Sequence, residues 1–189
     1  MLSDGETLEG PDWTLTAVAT PGHTSNHLCY ALEQTGALFS GDHVMGWSTT
    51  VVAPPDGDMA DYMASLEKLY SREDRIFYPA HGPAVERPKQ LLRGMIGHRR
   101  QRERQILKLL ENAFNGARKP LAVASAENAG DHEVSPSMGL TIGELVRSMY
   151  KGVGKHLWPA AGQSVKAHLL DLERRGRVAR SEDRWTILI

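Results

Sequence analysis

Ala37-Leu38-Phe39-Ser40-Gly41-Asp42-His43 is the stretch on which the reading of this chain turns. A short apolar run that stops at a glycine reads as a buried strand and its turn. Asp42 and His43 then fall on the loop at the strand's end. The same arrangement occurs twice more. Upstream, Trp13-Thr14-Leu15-Thr16-Ala17-Val18 alternates and runs into Thr20-Pro21-Gly22-His23-Thr24. Downstream, Arg75-Ile76-Phe77-Tyr78 runs into Pro79-Ala80-His81-Gly82-Pro83. Each predicted strand is followed by an imidazole or a carboxylate with glycine beside it, so the backbone can turn sharply. Zinc takes such donors from loops at strand ends. His23, Asp42 and His81 are therefore the candidate metal ligands.

The surrounding pattern supplies a layer to hold them. Leu28-Cys29-Tyr30-Ala31-Leu32 reads as a further strand, with a turn near Gln34-Thr35-Gly36. Asp58 is a plausible N-cap for a helix through Tyr70, with Met59, Tyr62, Met63, Leu66 and Leu69 on one face. Strands, helix and strand indicate an α/β layer over residues 1–87. Pro88 fits the first position of a long helix reaching about Phe114. Its ends are apolar, but His98-Arg99-Arg100-Gln101-Arg102-Glu103-Arg104 is polar all round and predicts a solvated bridge, so 88–115 reads as a connecting helix. Residues 116–139, rich in Gly, Ala and Ser, read as a flexible linker. From 140 to 189 an amphipathic helix (Ile142, Leu145, Val146, Met149) precedes a second (Val165, His168, Leu169, Leu172) that closes at Gly176. Arg177-Val178-Ala179 and Trp185-Thr186-Ile187-Leu188 then form a two-stranded wing, the tail of a winged-helix domain.

Composition bounds the function classes. At 189 residues, 41% hydrophobic and 24% charged, the chain is an ordinary globular sequence. No apolar run approaches the ~20 residues a membrane helix needs. Met1-Leu2-Ser3-Asp4-Gly5-Glu6 has no basic start and no apolar core, so it does not read as a signal peptide. One cysteine, Cys29, excludes an internal disulfide framework and fits a reducing compartment. A cytoplasmic protein with no membrane partner is the expectation. Residues 1–92 carry 5 Lys/Arg against 13 Asp/Glu, whereas residues 93–120 carry 8 against 2. The acidic part suits a cation and the basic stretch a phosphate backbone.

The words around the three ligands, Thr-Pro-Gly-His-Thr, Ser-Gly-Asp and Pro-Ala-His-Gly-Pro, resemble the later metal motifs of the metallo-β-lactamase superfamily. The closest resemblance is to the β-lactamase-like protein 2 group, in which a winged-helix tail follows the hydrolase domain. It extends to His98-Arg99, Arg102-Glu103, Glu144-Leu145-Val146 with Tyr150, and His168-Leu169 before Leu172-Glu173. Residues 116–139 look like an insertion. The resemblance implies the C-terminal half of an αβ/βα sandwich and a metal-dependent hydrolase. His23 would complete one zinc site, Asp42 would bridge two ions and His81 would complete the second. The nucleophile would be a hydroxide held between the metals, with RNA phosphodiesters as substrate or, alternatively, a thioester or other small-molecule ester.

The family's first motif, His-x-His-x-Asp-His, does not occur in this sequence, and it supplies more than half of the family's protein ligands. The expectation is therefore an incomplete, inactive portion of a hydrolase with weak zinc binding or none. A non-catalytic interaction module is the alternative. Self-association is expected through the sheet surface that the absent segment would cover.

Other residues are weighed against simpler roles. His27 reads as a structural hydrogen-bonder and Cys29 as a buried, inert thiol. His43 could support Asp42 or be an exposed neighbour. Asp56 and Asp58 read as a solvated turn and a helix cap, and Thr49 and Thr50 as residues at a pocket mouth. Arg99 to Arg104 read as a solvated helix face before RNA contacts. Gln163, Lys166, Asp171 and Arg174 read as exposed on a winged-helix face used for packing. His156 is placed in a loop and His168 in a core.

Overall fold

From Leu28 to Leu32 every second residue is shielded more deeply than its neighbours, the pattern of a strand with two unlike faces. The computed structural model describes residues 2–118 and 139–188. There this strand, β3 (Leu28–Leu32), is the centre of a five-stranded sheet in the order β1-β2-β3-β4-β5. The others are β1 (Thr7–Glu9), which the sequence pattern does not reveal, β2 (Thr14–Ala19), β4 (Ala37–Gly41) and β5 (Ile76–Pro79). Pairing is antiparallel from β1 to β4 and parallel between β4 and β5. Parallel neighbours need a crossover, and α1 (Met59–Ser71) lies within it.

Registers place Val18 beside Cys29, Ala31 beside Leu38, and Leu38 beside Phe77. All five are buried, as are Tyr62, Leu66 and Leu69 of α1. Asp58 caps α1, accepting from the Ala60 and Asp61 amides, as expected. The helix is tied to the end of β2 by Ser65 Oγ, which donates to the Pro21 carbonyl at 2.8 Å. Gly22 lies there with φ of 129°, and a Cβ on it would strike the Tyr62 backbone, so the contact requires glycine.

The opposite sheet face carries Leu15, Leu32, Ala37 and Ile76 in one row and Ala17, Tyr30, Phe39 and Tyr78 in the next. A solvated face would carry polar residues. Here every position is apolar or aromatic, and Phe39 and Tyr78 are exposed with ring centres 5.8 Å apart.

The long helix α2 (Pro88–Arg118) continues past its predicted end near Phe114. Residues 116–118 of the predicted linker are thus helical, and 119–138 lie outside the described residues. The chain divides into compact units at Arg100 and Gln101. In the first unit Leu92, Met95, Ile96 and Arg99 are all buried. The predicted solvated stretch is corrected at Arg99: its position continues that helical stripe inward.

The second unit contains β6 (Leu140–Thr141), α3 (Ile142–Met149), a 3-10 turn (Lys155–Leu157), α4 (Trp158–Arg174), β7 (Val178–Ser181) and β8 (Arg184–Ile187). The expected two-stranded wing gains a third strand, in the order β6-β8-β7. Two residues are too few for β6 to show any period. Ile106, Leu110, Leu145, Val146, Val165, Leu169, Leu172, Val178 and Trp185 form the core. His168 is buried as predicted, and His156, expected in a loop, is exposed within the 3-10 turn. Asp171 departs from prediction: it is buried and paired with Arg175 one turn on, at 2.9 Å. Among the described residues no helix is long and apolar enough to cross a membrane.

Thr141 and Glu144 form a reciprocal capping box at the start of α3. The hydrogen bond from the Thr141 amide holds the Glu144 carboxyl below its ordinary value of 4.5. A folded-state pKa below the unfolded one gives stability that is full above 4.5 and fades as pH falls through the folded value. The carboxyl is about a third exposed, so the effect is small. Urea titrations across this range should show a pH-dependent loss of stability that is slightly smaller in Glu144→Gln. An unchanged pH profile in that variant would show that the box does not titrate.

Candidate metal centre

Three carbonyls and three side chains fix the loop that follows β4. Thr50 Oγ1 donates to the Asp42 carbonyl at 2.6 Å and to the His43 carbonyl at 3.2 Å. Tyr62 OH, on α1, donates to the same His43 carbonyl at 3.1 Å. From α2, the Arg99 guanidinium donates to the Thr50 carbonyl and lies over the Tyr62 ring, 5.1 Å from its centre. Arg99 and Thr50 are almost wholly buried. The next carbonyl, Val51, accepts from His23 Nδ1 at 2.8 Å. One short segment, Asp42 to Val51, is thereby held from the sheet, from α1 and from α2.

This bracing sets the donors. A carbonyl can only accept, so the proton of neutral His23 is on Nδ1 and its lone pair on Nε2, the tautomer a metal requires. Asp42 Oδ1 is buried, makes no hydrogen bond, and lies 3.5 Å from His81 Nε2. Burying a carboxylate oxygen without a donor is costly, and a cation between these two donors would relieve it. Gly41 at the end of β4 has φ of 53°, and a Cβ there would press on His27 Nε2. The fold thus brings Asp42 and His81 together and orients His23. Among the described residues, however, no three His, Cys, Asp or Glu side chains converge as a metal cage. In donor chemistry the residues fit a metal; in number they form part of a site.

The neighbouring histidines have structural surroundings. His27 Nδ1 is 2.8 Å from Thr20 Oγ1, and burial and the nearby His23 push its pKa down. His43 is fully buried between the His27 and Tyr62 rings, at 5.7 and 4.7 Å. Burial, with His27, His23 and Arg99 nearby, pushes it down to about 3. Of its two predicted roles the exposed one is excluded. Cys29 is buried beside Thr20 and its thiol is raised to about 12 by burial, so it is inert as expected. Asp56 lies in an exposed turn as expected, and accepts from Ser25 N and Oγ at 3.1 and 2.6 Å.

Thr49 lines a cavity of about 620 Å3 alongside Met45, Trp47, Val85, Leu91 and Met95. Its wall joins the site through Gly46, whose amide donates to the His81 carbonyl at 3.1 Å. Sequence reasoning missed Arg99 as a brace. The signal was available, since Leu92, Met95, Ile96 and Arg99 share one helical stripe. Replacing Arg99 by Met should cost about 2 kcal/mol, a lost charged hydrogen bond to a buried carbonyl. Arg99→Lys should recover part of it. Urea unfolding of both variants checks this, and equal stability of Arg99→Met and the parent would refute the brace.

Comparison with known proteins places this geometry. Residues 1–81 match the sequence model of the metallo-beta-lactamase superfamily, and residues 141–185 that of the beta-lactamase associated winged helix domain. A beta-lactamase-like protein 2 homolog of Drosophila melanogaster is 34% identical over 179 residues, 94% of this chain and 51% of that protein. An atrochrysone carboxyl ACP thioesterase of Aspergillus fumigatus is 40% identical over 111 residues, 59% of this chain and 34% of that protein. The crystal structure of a metallo-beta-lactamase family protein from Thermus thermophilus superimposes with a TM-score of 0.73 at 25% identity. The superposition covers 99% of this chain and 54% of that one. The chain thus spans between a third and about half of the length of these relatives.

Proposed function

The chain belongs to the metallo-beta-lactamase superfamily, a family of hydrolases, and carries the winged helix associated with it; from that premise we propose that it contributes part of a metal-dependent ester or thioester hydrolase site. The observation that carries this is the buried, undonated Asp42 Oδ1 facing His81 Nε2. His23 through Nε2, Asp42 through its carboxylate and His81 through Nε2 would hold the metal, with further donors from another segment or chain. A bound divalent ion supplies Lewis acidity, lowering the pKa of water and polarising the scissile group. The protein's own part is positioning. Val51 fixes the His23 tautomer, Thr50 and Tyr62 fix the loop bearing Asp42, and Gly46 ties in the loop of His81.

An acyl substrate is favoured over RNA by where the cations go. Of the five arginines from 93 to 104, Arg99 is buried and Arg100 pairs with Glu67 at 2.8 Å. Arg102 lies over the Tyr150 ring and donates to Gln105. Arg99 is thus engaged inside the protein, and Arg100 and Arg102 already have protein partners that a phosphate backbone would have to displace. The relative named as a carboxyl ACP thioesterase supports the same reading.

Zinc titrated into metal-free chain against a chelating dye should bind more weakly than about 1 μM, as an incomplete ligand set dictates. Asp42→Asn and His81→Ala should each weaken it further, by about tenfold. Binding indifferent to both, and to His23→Ala, would overturn the site. With a polypeptide supplying His-x-His-x-Asp-His added in trans, thiol release from an acyl thioester should exceed cleavage of a labelled RNA.

The outer sheet face adds a partner. Phe39 and Tyr78 stand exposed in an apolar row that a second copy of the chain, or the missing half-sandwich, would cover. Light scattering should show concentration-dependent dimers that Phe39→Ser dissociates. A parent chain that stays monomeric at high concentration would count against this surface.

A further inference from the structure

The cavity of about 620 Å3 in the first unit has no part in holding a metal, yet its walls belong to the loops that carry the donors. Met45 and Trp47 lie on the loop after Asp42, Val85 on the segment after His81, and Leu91 and Met95 on the first turns of α2. Val85 is pinned by paired backbone hydrogen bonds with Phe77, at 3.0 and 2.8 Å. Gly46 presses so closely on Pro83 that a Cβ would strike the Pro83 carbonyl. The two loops are thereby locked together, with the cavity on their α2 side.

Its chemistry is one-sided. Trp47 is 73% exposed, the most exposed large apolar side chain among the described residues, and it stands at this cavity. Beside it are two methionines, which adapt to irregular apolar shapes. Among the described lining residues Arg87 is the only one with a permanent charge. A cleft of this size and lining suits a small molecule with an apolar body. The single cation selects an anionic group at one end.

We propose that this cavity binds the acyl part of the substrate, an aliphatic or aromatic chain bearing an anionic group that pairs with Arg87. This deepens the hydrolase reading and rests on it only for the neighbouring chemistry; the binding itself needs no metal. The acyl body lies between Trp47 and the Leu91–Met95 face of α2. Its scissile end is directed toward the loop of His81 through the shared Gly46 wall.

The test is calorimetric titration of the metal-free chain with decanoate and with 2-naphthoate. Saturable binding of at least one of them is expected. Trp47→Ala should weaken it about tenfold, as loss of a large aromatic wall does. Arg87→Gln should weaken it about threefold, the scale of an exposed ion pair. Phe39→Ser, on the outer sheet face, should leave it unchanged. No binding of either acid would overturn the proposal, as would binding indifferent to Trp47→Ala or abolished by Phe39→Ser. A short RNA oligomer that binds and is lost with Trp47→Ala would overturn it in favour of nucleic acid. Failure of the metal reading would appear separately, in the zinc titration.

Discussion

A buried carbonyl must be given a donor, and the segment from Asp42 to Val51 buries or half-buries four of them around the candidate site. Thr50 serves two, Tyr62 shares one, Arg99 serves the third and His23 the fourth. The most demanding member is Arg99. A guanidinium taken from water costs several kcal/mol unless its surroundings return it. Here a carbonyl and the face of Tyr62 return part of it, while Arg99 Nε is buried without a hydrogen bond. Because one donor, His23, is itself a candidate ligand, satisfying the backbone and setting the ligand's tautomer are the same interaction. Loosening the brace would therefore reach the site without touching a ligand.

The sequence disclosed the loops of the candidate ligands because each follows an alternating or short apolar run and each is marked by glycine. Asp58 as a cap and Cys29 as an inert thiol were legible for similarly local reasons. What was not legible depended on distant chain. His43 adjoins Asp42 in sequence, but only the rings of His27 and Tyr62 make it a core residue. Arg99 was misread because polar neighbours on both sides outweighed its place on the stripe of Leu92, Met95 and Ile96. Asp171 was misread likewise, since its partner Arg175 lies beyond the last turn of α4. Short elements such as β6 gave no period at all.

The two units differ in how far they close upon themselves. In the second, α2, α3, α4 and β8 place Ile106, Leu145, Leu169 and Trp185 in one shielded cluster, so its apolar faces find partners within the unit. In the first, α1 covers one side of the sheet and leaves the row of Tyr30, Phe39 and Tyr78 on the other. A sheet face with no polar position is the surface on which association is proposed. The same unit carries a ligand set that falls short in number. Apolar face and donor set are incomplete together, as they would be if one missing layer supplied both.

That coincidence has a physical consequence for metal binding. Asp42 and His81 sit at the ends of the parallel strands β4 and β5, whose spacing is set by backbone hydrogen bonds and not by the ion. His23 sits beyond β2, held through Val51. If the proposed site holds a metal, Asp42 and His81 are near each other before it arrives, and the ordering cost of that pair is already met in folding. A partner that covers the apolar face and brings further donors would bind through hydrophobic area and coordination at once. Association and metal uptake would then be linked: an ion that bridges both sides stabilises the assembly, and the assembly raises affinity for the ion by the same factor.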